Sequence, residues 1–191
     1  LPISLYEKIV PVKEALTLKG AIFAHGRQMG KTLILPVRWN LATAKPVLGT
    51  NPTEKLLTNG IRGSLKYSDF EWCSWADNDS VSFTIDLLKL EMLNTLILGC
   101  ITNNGMAIHK PASVRVEVSD DNSKFREAVV QSFTSEEIFR EGNFIENLSL
   151  KLGGTQARYV RVTAKGPGVC PASHVRPGQT SRIFFDEVML E

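Results

Sequence analysis

The sequence predicts an all-β protein, an antiparallel β-sandwich, and three observations carry that prediction. In PASVRVEVSDDNSKF (Pro111–Phe125), Val114, Val116 and Val118 alternate with Arg115 and Glu117, the period-two pattern of a half-buried strand. The polar run Ser119 to Ser123 then forces a turn before Phe125 returns to apolar character. In ARYVRVTAK (Ala157–Lys165), Val160, Val162 and Ala164 alternate in the same way with Tyr159, Arg161 and Thr163. Helical periodicity is hard to find anywhere in the chain. Two half-wetted strands joined by a long polar connection suit a sandwich in which each sheet faces water on one side.

Taken in order, Thr17 to Phe23 reads as a strand ending in a turn over His25 to Gly30, and the apolar run Thr32 to Val37 precedes Trp39. Pro46, Gly49 and Pro52 mark an irregular connection that would break a ladder. A boundary within Arg38 to Ala44 follows, dividing the chain into residues 1–38 and 39–191. The first piece, about forty residues, is too short to be a stable all-β domain alone. Beyond the boundary, Val81, Phe83, Ile85 and Leu87 alternate with polar residues, and Leu93 to Ile101 is apolar enough for a central strand buried on both faces. The last strand is RIFFDEVMLE (Arg182–Glu191). Three loops carry unusual chemistry: Tyr67–Asp79, Thr102–Pro111 and Gly166–Arg182. Loops at one end of a rigid sandwich are where binding groups are usually carried.

Composition narrows the function classes. With 191 residues, 43% hydrophobic and 22% charged, the chain can bury a core without disulfides or metals. A net charge of +2 is too small and too scattered for a nucleic-acid footprint. Cys73, Cys100 and Cys170 are odd in number and lack paired spacing, so neither a zinc site nor a disulfide framework is written here. Cys100 alternates with Leu96 and Leu98, as a small buried hydrophobe would. No stretch approaches the roughly 20 apolar residues of a membrane helix, and the candidate loops carry Asn, His, Arg and Asp rather than apolar tips, so no membrane partner is expected. Leu1 opens no signal peptide, and the lack of an initiator Met suggests a piece of a longer protein.

A family resemblance rests on several motifs in order: LLTNGIRGS (Leu56–Ser64), EWCSW (Glu71–Trp75), SFTIDL (Ser82–Leu87), PASVRVEVSDDNSKF, QARYVRVTAK (Gln156–Lys165) and IFFDEVML (Ile183–Leu190). From about Ala44 to its end the chain resembles a discoidin domain, the coagulation-factor type C domain, a galactose-binding-like sandwich of jelly-roll type. LTNGIRGS, GVCPASH (Gly168–His174) and IFFDEV are similar to the C-terminal modules of bacterial chitobiase-like β-N-acetylhexosaminidases. TLKGAIFAHGRQMGKT (Thr17–Thr32) looks like the end of the small β-domain that precedes such modules. The resemblance implies that residues 1–38 are the remnant of that β-domain and that a catalytic barrel lies upstream on the same polypeptide. It implies a secreted, periplasmic or cell-surface bacterial location. The implied role is a non-catalytic carbohydrate-binding module that holds an N-acetylhexosamine- or galactose-containing glycan near the active site. The alternative is a structural accessory domain that packs on the barrel and binds no sugar.

Asp186 and Glu187 resemble the adjacent Asp-Glu pair of chitobiase-like enzymes. Within a strand, however, successive side chains point to opposite faces, so the two are not expected to converge on one glycosidic oxygen. For a sugar site the candidates are Trp75, Asn104, His109, His174 and Arg176, with Asn103 and Arg182 beside them. An aromatic face stacks on pyranose C–H groups; amide, imidazole and guanidinium groups read neighbouring hydroxyls. Each of the Asn, His and Arg residues could equally be an ordinary solvated loop group; Trp72 and Trp75 could equally be core plugs at one end of the sandwich, with Trp72 expected to be mainly structural and Trp75 open. The resemblance also implies a structural Ca²⁺ held by Asn59, a carbonyl near Arg62, Ser64 and Glu187. Asn59 stands where the family usually has a carboxylate, which lowers affinity for a cation that depends on ligand charge; no other cofactor is required.

Overall fold

The computed structural model describes residues 14–75 and 80–191. The expectations for residues 1–13 and for the end of the Tyr67–Asp79 loop therefore lie outside the described residues. The described residues divide into two units, 14–39 and 40–191.

In the first unit, β1 (Leu16–Ala24) and β2 (Arg27–Val37) form an antiparallel hairpin. Its turn is shorter than the expected His25 to Gly30: Ala24 pairs with Arg27, leaving His25 and Gly26, both with positive φ (50° and 74°). Two left-handed residues match the twist of the flanking strands, which is why such turns close tight hairpins. Ile22, Phe23, Met29, Leu33 and Ile34 of the hairpin are exposed.

The second unit contains β3 (Val47–Leu48), β4 (Cys73–Trp75), β5 (Ser80–Asn103), β6 (Ser113–Ser119), β7 (Arg126–Ser132), the single turn α1 (Ser135–Ile138), β8 (Asn143–Lys165) and β9 (Ile183–Leu190). Hydrogen bonds link them in the order β4-β9-β5-β8-β6-β7, with β3 on β5. The two long strands make this one ladder into two layers. The first half of β5 (Ser80 to Asp86) pairs with the end of β8 (Tyr159 to Lys165), which also pairs β6; the second half of β5 (Glu91 to Asn103) pairs with the start of β8, and its Leu96–Cys100 part pairs β9. Phe83, Ile85, Val116 and Val162 from one half and Leu96, Leu98, Leu150 and Val188 from the other meet in one buried cluster.

At the corner of β5 the pairing breaks between Asp86 and Glu91. Leu88 takes a left-handed φ of 69°, and its amide donates to Asp86 Oδ1 at 2.8 Å. Arg158 of β8 grips both Asp86 oxygens, at 2.8 and 2.9 Å, which holds that carboxyl below its ordinary pKa. Only the end of the Leu93–Ile101 run is buried on both faces. Met92 and Asn94 are exposed, whereas Leu98, Gly99, Cys100 and Ile101 are all buried. The second face there is covered by a smaller cluster of Trp72, Ile101, Ile108 and Phe184, with Tyr67, Met106 and Ile145 against it. The three cysteines are free and buried.

Candidate functional site

The ends of β5 and β8 place the polar loops. Asn103 and Ile108 exchange backbone hydrogen bonds across a 3-10 turn (Asn104–Met106). The 166–182 loop is stitched to the same turn: the Arg182 amide donates to the Ala107 carbonyl at 2.9 Å, the His109 amide donates to the Arg182 carbonyl at 3.0 Å, and Arg182 Nη2 reaches the Met106 carbonyl at 2.8 Å. The described part of the third loop adjoins this end through Tyr67, whose ring meets the edge of Phe184 with centroids 6.2 Å apart. Asn143 Nδ2 also contacts the Leu65 carbonyl.

A fourth segment, residues 133–142, completes this end and was not among the loops singled out from sequence. Thr134 caps α1: its Oγ1 accepts from the Glu137 amide at 3.3 Å, and Glu137 Oε2 accepts from the Thr134 amide at 2.7 Å. This reciprocal box fixes the chain's entry into the turn, and its Thr-x-x-Glu spacing is the one signal that could have found the segment. The turn presents Phe139, half buried, beside the Pro171–Ser173 stretch. Between them runs a cleft of about 420 Å³ lined by Ser135, Glu136, Phe139, Arg140, Glu141 and Ser173. It shares its Phe139, Glu141 and Ser173 walls with a smaller cavity of about 110 Å³ that reaches Asn104 and His174.

Asn104, His174 and Arg176 are brought together. Asn104 Nδ2 lies 3.3 Å from His174 Nε2, the Arg176 amide donates to His174 Nδ1 at 2.9 Å, and Arg176 Nε donates to the Gly105 carbonyl at 2.9 Å. Because Nδ1 accepts, a neutral His174 carries its proton on Nε2. A half-turn of the Asn104 amide brings its unpartnered Oδ1 into the place of Nδ2, where it accepts the His174 Nε2–H. Arg176 is exposed, while Asn104 and His174 are buried at the floor.

Trp75 and His109 correct the sequence expectation. Trp75 is only 8% exposed; it stacks on Phe83 at 6.2 Å between centroids and meets Phe185 edge to face at 5.6 Å. Its inward position in β4, opposite Ile183, makes it a plug of the main core, with no face for a ligand. His109 is fully buried, packed edge-on against Phe139 and His174. Burial, aided by the neighbouring His174, lowers its pKa from 6.5 to about 4, so the ring is neutral. Neither ring nitrogen makes a well-formed hydrogen bond, although the Ile138 backbone slightly favours the protonated form. Trp72 is buried and donates its Nε1–H to the Ser64 carbonyl at 3.1 Å. A further departure is Phe70, 92% exposed, with Leu65 exposed near it in sequence: apolar tips exist on a loop expected to lack them.

The Asp186–Glu187 pair also departs from simple alternation. Leu98 pairs Val188 while Cys100 pairs Phe185, so two residues of β9 oppose Gly99 in a bulge, and both carboxyls turn toward the 60–63 segment. Asp186 Oδ2 accepts from Arg62 Nε at 2.6 Å and from the Gly63 amide at 2.9 Å. Glu187 Oε2 accepts from the Gly60 amide at 3.0 Å. Both are fully buried, and a Cβ at Gly99 would collide with the Asp186 carboxyl and the Arg62 guanidinium. The pair therefore shares a side but leaves no room for a substrate.

For the implied calcium, the orphan oxygen is Glu187 Oε1, buried without a partner; burial, and then the nearby Asp186 charge, push this carboxyl up to about 9 against the Gly60 amide and Arg62. A hard cation would suit that oxygen. Asn59 is less suited, since its Oδ1 accepts from the Ile61 amide at 2.8 Å and its Nδ2 donates to Glu71 at 2.8 Å. Ser64 Oγ accepts from the Lys66 amide at 3.2 Å and keeps a second lone pair. Of the implied donors, Glu187 Oε1 is buried without a partner, Ser64 and the Arg62 carbonyl are neutral, and Asn59 Oδ1 is already engaged, which is a weak set for a cation that depends on ligand charge.

Comparison with known proteins agrees with this architecture. The F5/8 type C domain matches residues 42–175. No curated protein matches the chain. Among solved structures, CpGH89CBM32-6 produced by Clostridium perfringens is similar at 18% identity and a TM-score of 0.52, over 80% of this chain and 98% of its own. A fucose binding module of Streptococcus pneumoniae is similar at 16% identity and a TM-score of 0.51, over 80% and 94%. The lectin domain of lectinolysin, complexed with Lewis B antigen, is similar at 16% identity and a TM-score of 0.52, over 80% and 96%.

Proposed function

The chain belongs to the F5/8 type C domain family, and from that premise we propose that it is a non-catalytic carbohydrate-binding module whose glycan lies between residues 133–142 and Pro171–Ser173. The observation that carries this reading is the cleft: a half-buried aromatic, Phe139, flanked by Ser135, Glu136, Arg140, Glu141 and Ser173. Phe139 offers a face for sugar C–H groups, the carboxylates accept from hydroxyls and Arg140 donates to ring or glycosidic oxygens. Arg140 is already turned over the Phe144 ring, 3.9 Å from its centroid, which steadies the wall. The similar solved modules, one named for fucose binding and one seen with Lewis B antigen, support a glycan as the ligand class.

In this reading the parent protein is a secreted, periplasmic or cell-surface β-hexosaminidase-like glycosidase, with its catalytic barrel upstream. The module raises the local concentration of glycan at that barrel, because a weak second contact becomes effectively intramolecular. Calcium at Glu187 Oε1, with Ser64, Asn59 and the Arg62 carbonyl, is a stabilising element remote from the cleft residues in sequence. Exposed Phe70 and Leu65 favour a second reading, an accessory domain that packs this loop on a neighbouring domain and binds no sugar. A glycan array probed with residues 40–191 alongside the full chain separates the two: reproducible hits shared by both support the module, and a blank array supports the packing role.

A further inference from the structure

His109, Cys170 and His174 form a cluster that sugar recognition does not need. All three are buried, and one potential ligand atom from each lies within 4.8 Å of the others. The geometry points to a His₂Cys site for a zinc-class divalent cation, formed by His109, Cys170 and His174, with its remaining position open to the cavity beside Asn104.

Three observations carry the inference. First, His109 is fully buried, and apart from the Ile138 backbone its ring nitrogens have no well-formed hydrogen bond, although buried polar groups almost always find partners; a metal on the nitrogen away from Ile138 removes that deficit. The Ile138 backbone, which lies close enough to interact with the ring, can orient the other N–H, the usual arrangement for a ligating histidine. Second, imidazole nitrogen and cysteine sulfur are the donors a borderline cation selects, and calcium or magnesium would reject them. Third, the cluster is held by fixed backbone. His109 is tied to Arg182, the Cys170 amide donates to the Gln179 carbonyl at 2.9 Å, and the His174 amide donates to the Pro171 carbonyl at 3.0 Å.

Binding needs modest rearrangement. Ligand atoms around a tetrahedral ion with bonds of about 2.0–2.3 Å stand roughly 3.5 Å apart, so the cluster closes by about one ångström. Cys170 leaves Ser181 Oγ, now 3.4 Å away, and its thiol proton passes to solvent as the thiolate binds. His174 Nδ1 gives up the Arg176 amide, or takes the proton so that Nε2 binds; Arg176 is exposed, so its amide turns to water. A water entering the 110 Å³ cavity lined by Asn104 and His174 supplies the fourth position.

The test uses the full chain, stripped with chelator and titrated with Co²⁺ and then Zn²⁺. The expected result is one Co²⁺ per chain with a thiolate-to-cobalt charge-transfer band in the near ultraviolet, displaced by Zn²⁺. Cys170→Ser should abolish the band, and His109→Gln should weaken Co²⁺ binding at least tenfold. Zn²⁺ should raise the Tm of the unchanged protein but not of Cys170→Ser, which remains informative even if His109→Gln fails to fold. Absence of stoichiometric binding to the unchanged, folded chain overturns the inference, and so does a band that survives Cys170→Ser, since that places the metal on Cys73 or Cys100.

Discussion

Phe139 stands edge to face on His109, with ring centroids 5.0 Å apart and planes inclined by 67°. The aromatic wall of the cleft is therefore braced from behind by a buried, neutral imidazole. His109→Ala should leave a cavity and loosen the 133–142 turn. The expected loss is about 2 to 4 kcal/mol, within the range for emptying a buried ring site. Urea denaturation measures it; a loss below about 1 kcal/mol would mean that the turn does not depend on this contact.

Trp75 and Phe70 should behave in opposite ways. Trp75→Ala removes a ring packed between Phe83 and Phe185 and should cost about 3 to 5 kcal/mol, enough to unfold a marginal domain. Phe70→Ala, at a side chain 92% exposed, should stay within about 0.5 kcal/mol. Thermal melts of both variants decide this.

Among the buried groups, His109 and Glu187 make large and opposing contributions to the pH dependence in chelator. Burial holds the His109 pKa near 4, below its ordinary 6.5; between these values the unfolded chain takes up a proton that the folded chain resists, so this group costs stability as pH falls below 6.5. Burial raises Glu187 from 4.5 to about 9; its contribution is complete below 4.5 and is lost as pH rises toward 9. The two oppose each other from about 4.5 to 6.5. From these groups a plateau is expected there, then a decline above 6.5 of at most about 1.4 kcal/mol per pH unit. Glu187→Gln should remove most of the decline and leave stability rising from pH 4 to 6.5, with the smaller contribution of Glu54, also raised by burial, remaining. An unchanged decline in that variant would assign it to another group.

Calcium should oppose the same decline by pairing with ionised Glu187. Because Asn59 is neutral and its Oδ1 already accepts from Ile61, the rise in Tm with excess Ca²⁺ over chelator should be small at pH 8. Asn59→Asp should enlarge it. A large rise in the unchanged protein would show that the neutral ligand set is stronger than argued.

Strands were legible in sequence wherever one face stays wet. Val114, Val116, Val118 and Val160, Val162, Ala164 carry the alternation in plain form, and the motif order gave the family. What a single alternating pattern cannot express is a strand that changes partners. β5 and β8 each serve both layers, through a corner set by the left-handed Leu88 and the Asp86–Arg158 pair. The bulge at Asp186 and Glu187 was hidden for the same reason, since alternation presumes an unbroken ladder. At the site, aromatic and imidazole side chains have no sequence signature that separates a binding face from a core face. Trp75 is open between ligand face and core plug in the sequence, and only its strand position turns it inward; Phe139, which lines the cleft, lies in a segment marked only by the Thr134–Glu137 box.

The central claim is that a glycan occupies the cleft walled by Phe139 and Glu141. The most direct measurement is calorimetric titration of residues 40–191 with the strongest glycan from the array. A shallow, solvent-open cleft with few immobilised contacts should bind with a Kd of about 0.1–1 mM. Phe139→Ala and Glu141→Gln should each weaken binding about tenfold or more while circular dichroism stays unchanged, and Phe70→Ala should leave binding as it was. Undiminished binding in both cleft variants, with loss in Phe70→Ala, would place the sugar elsewhere and contradict the account.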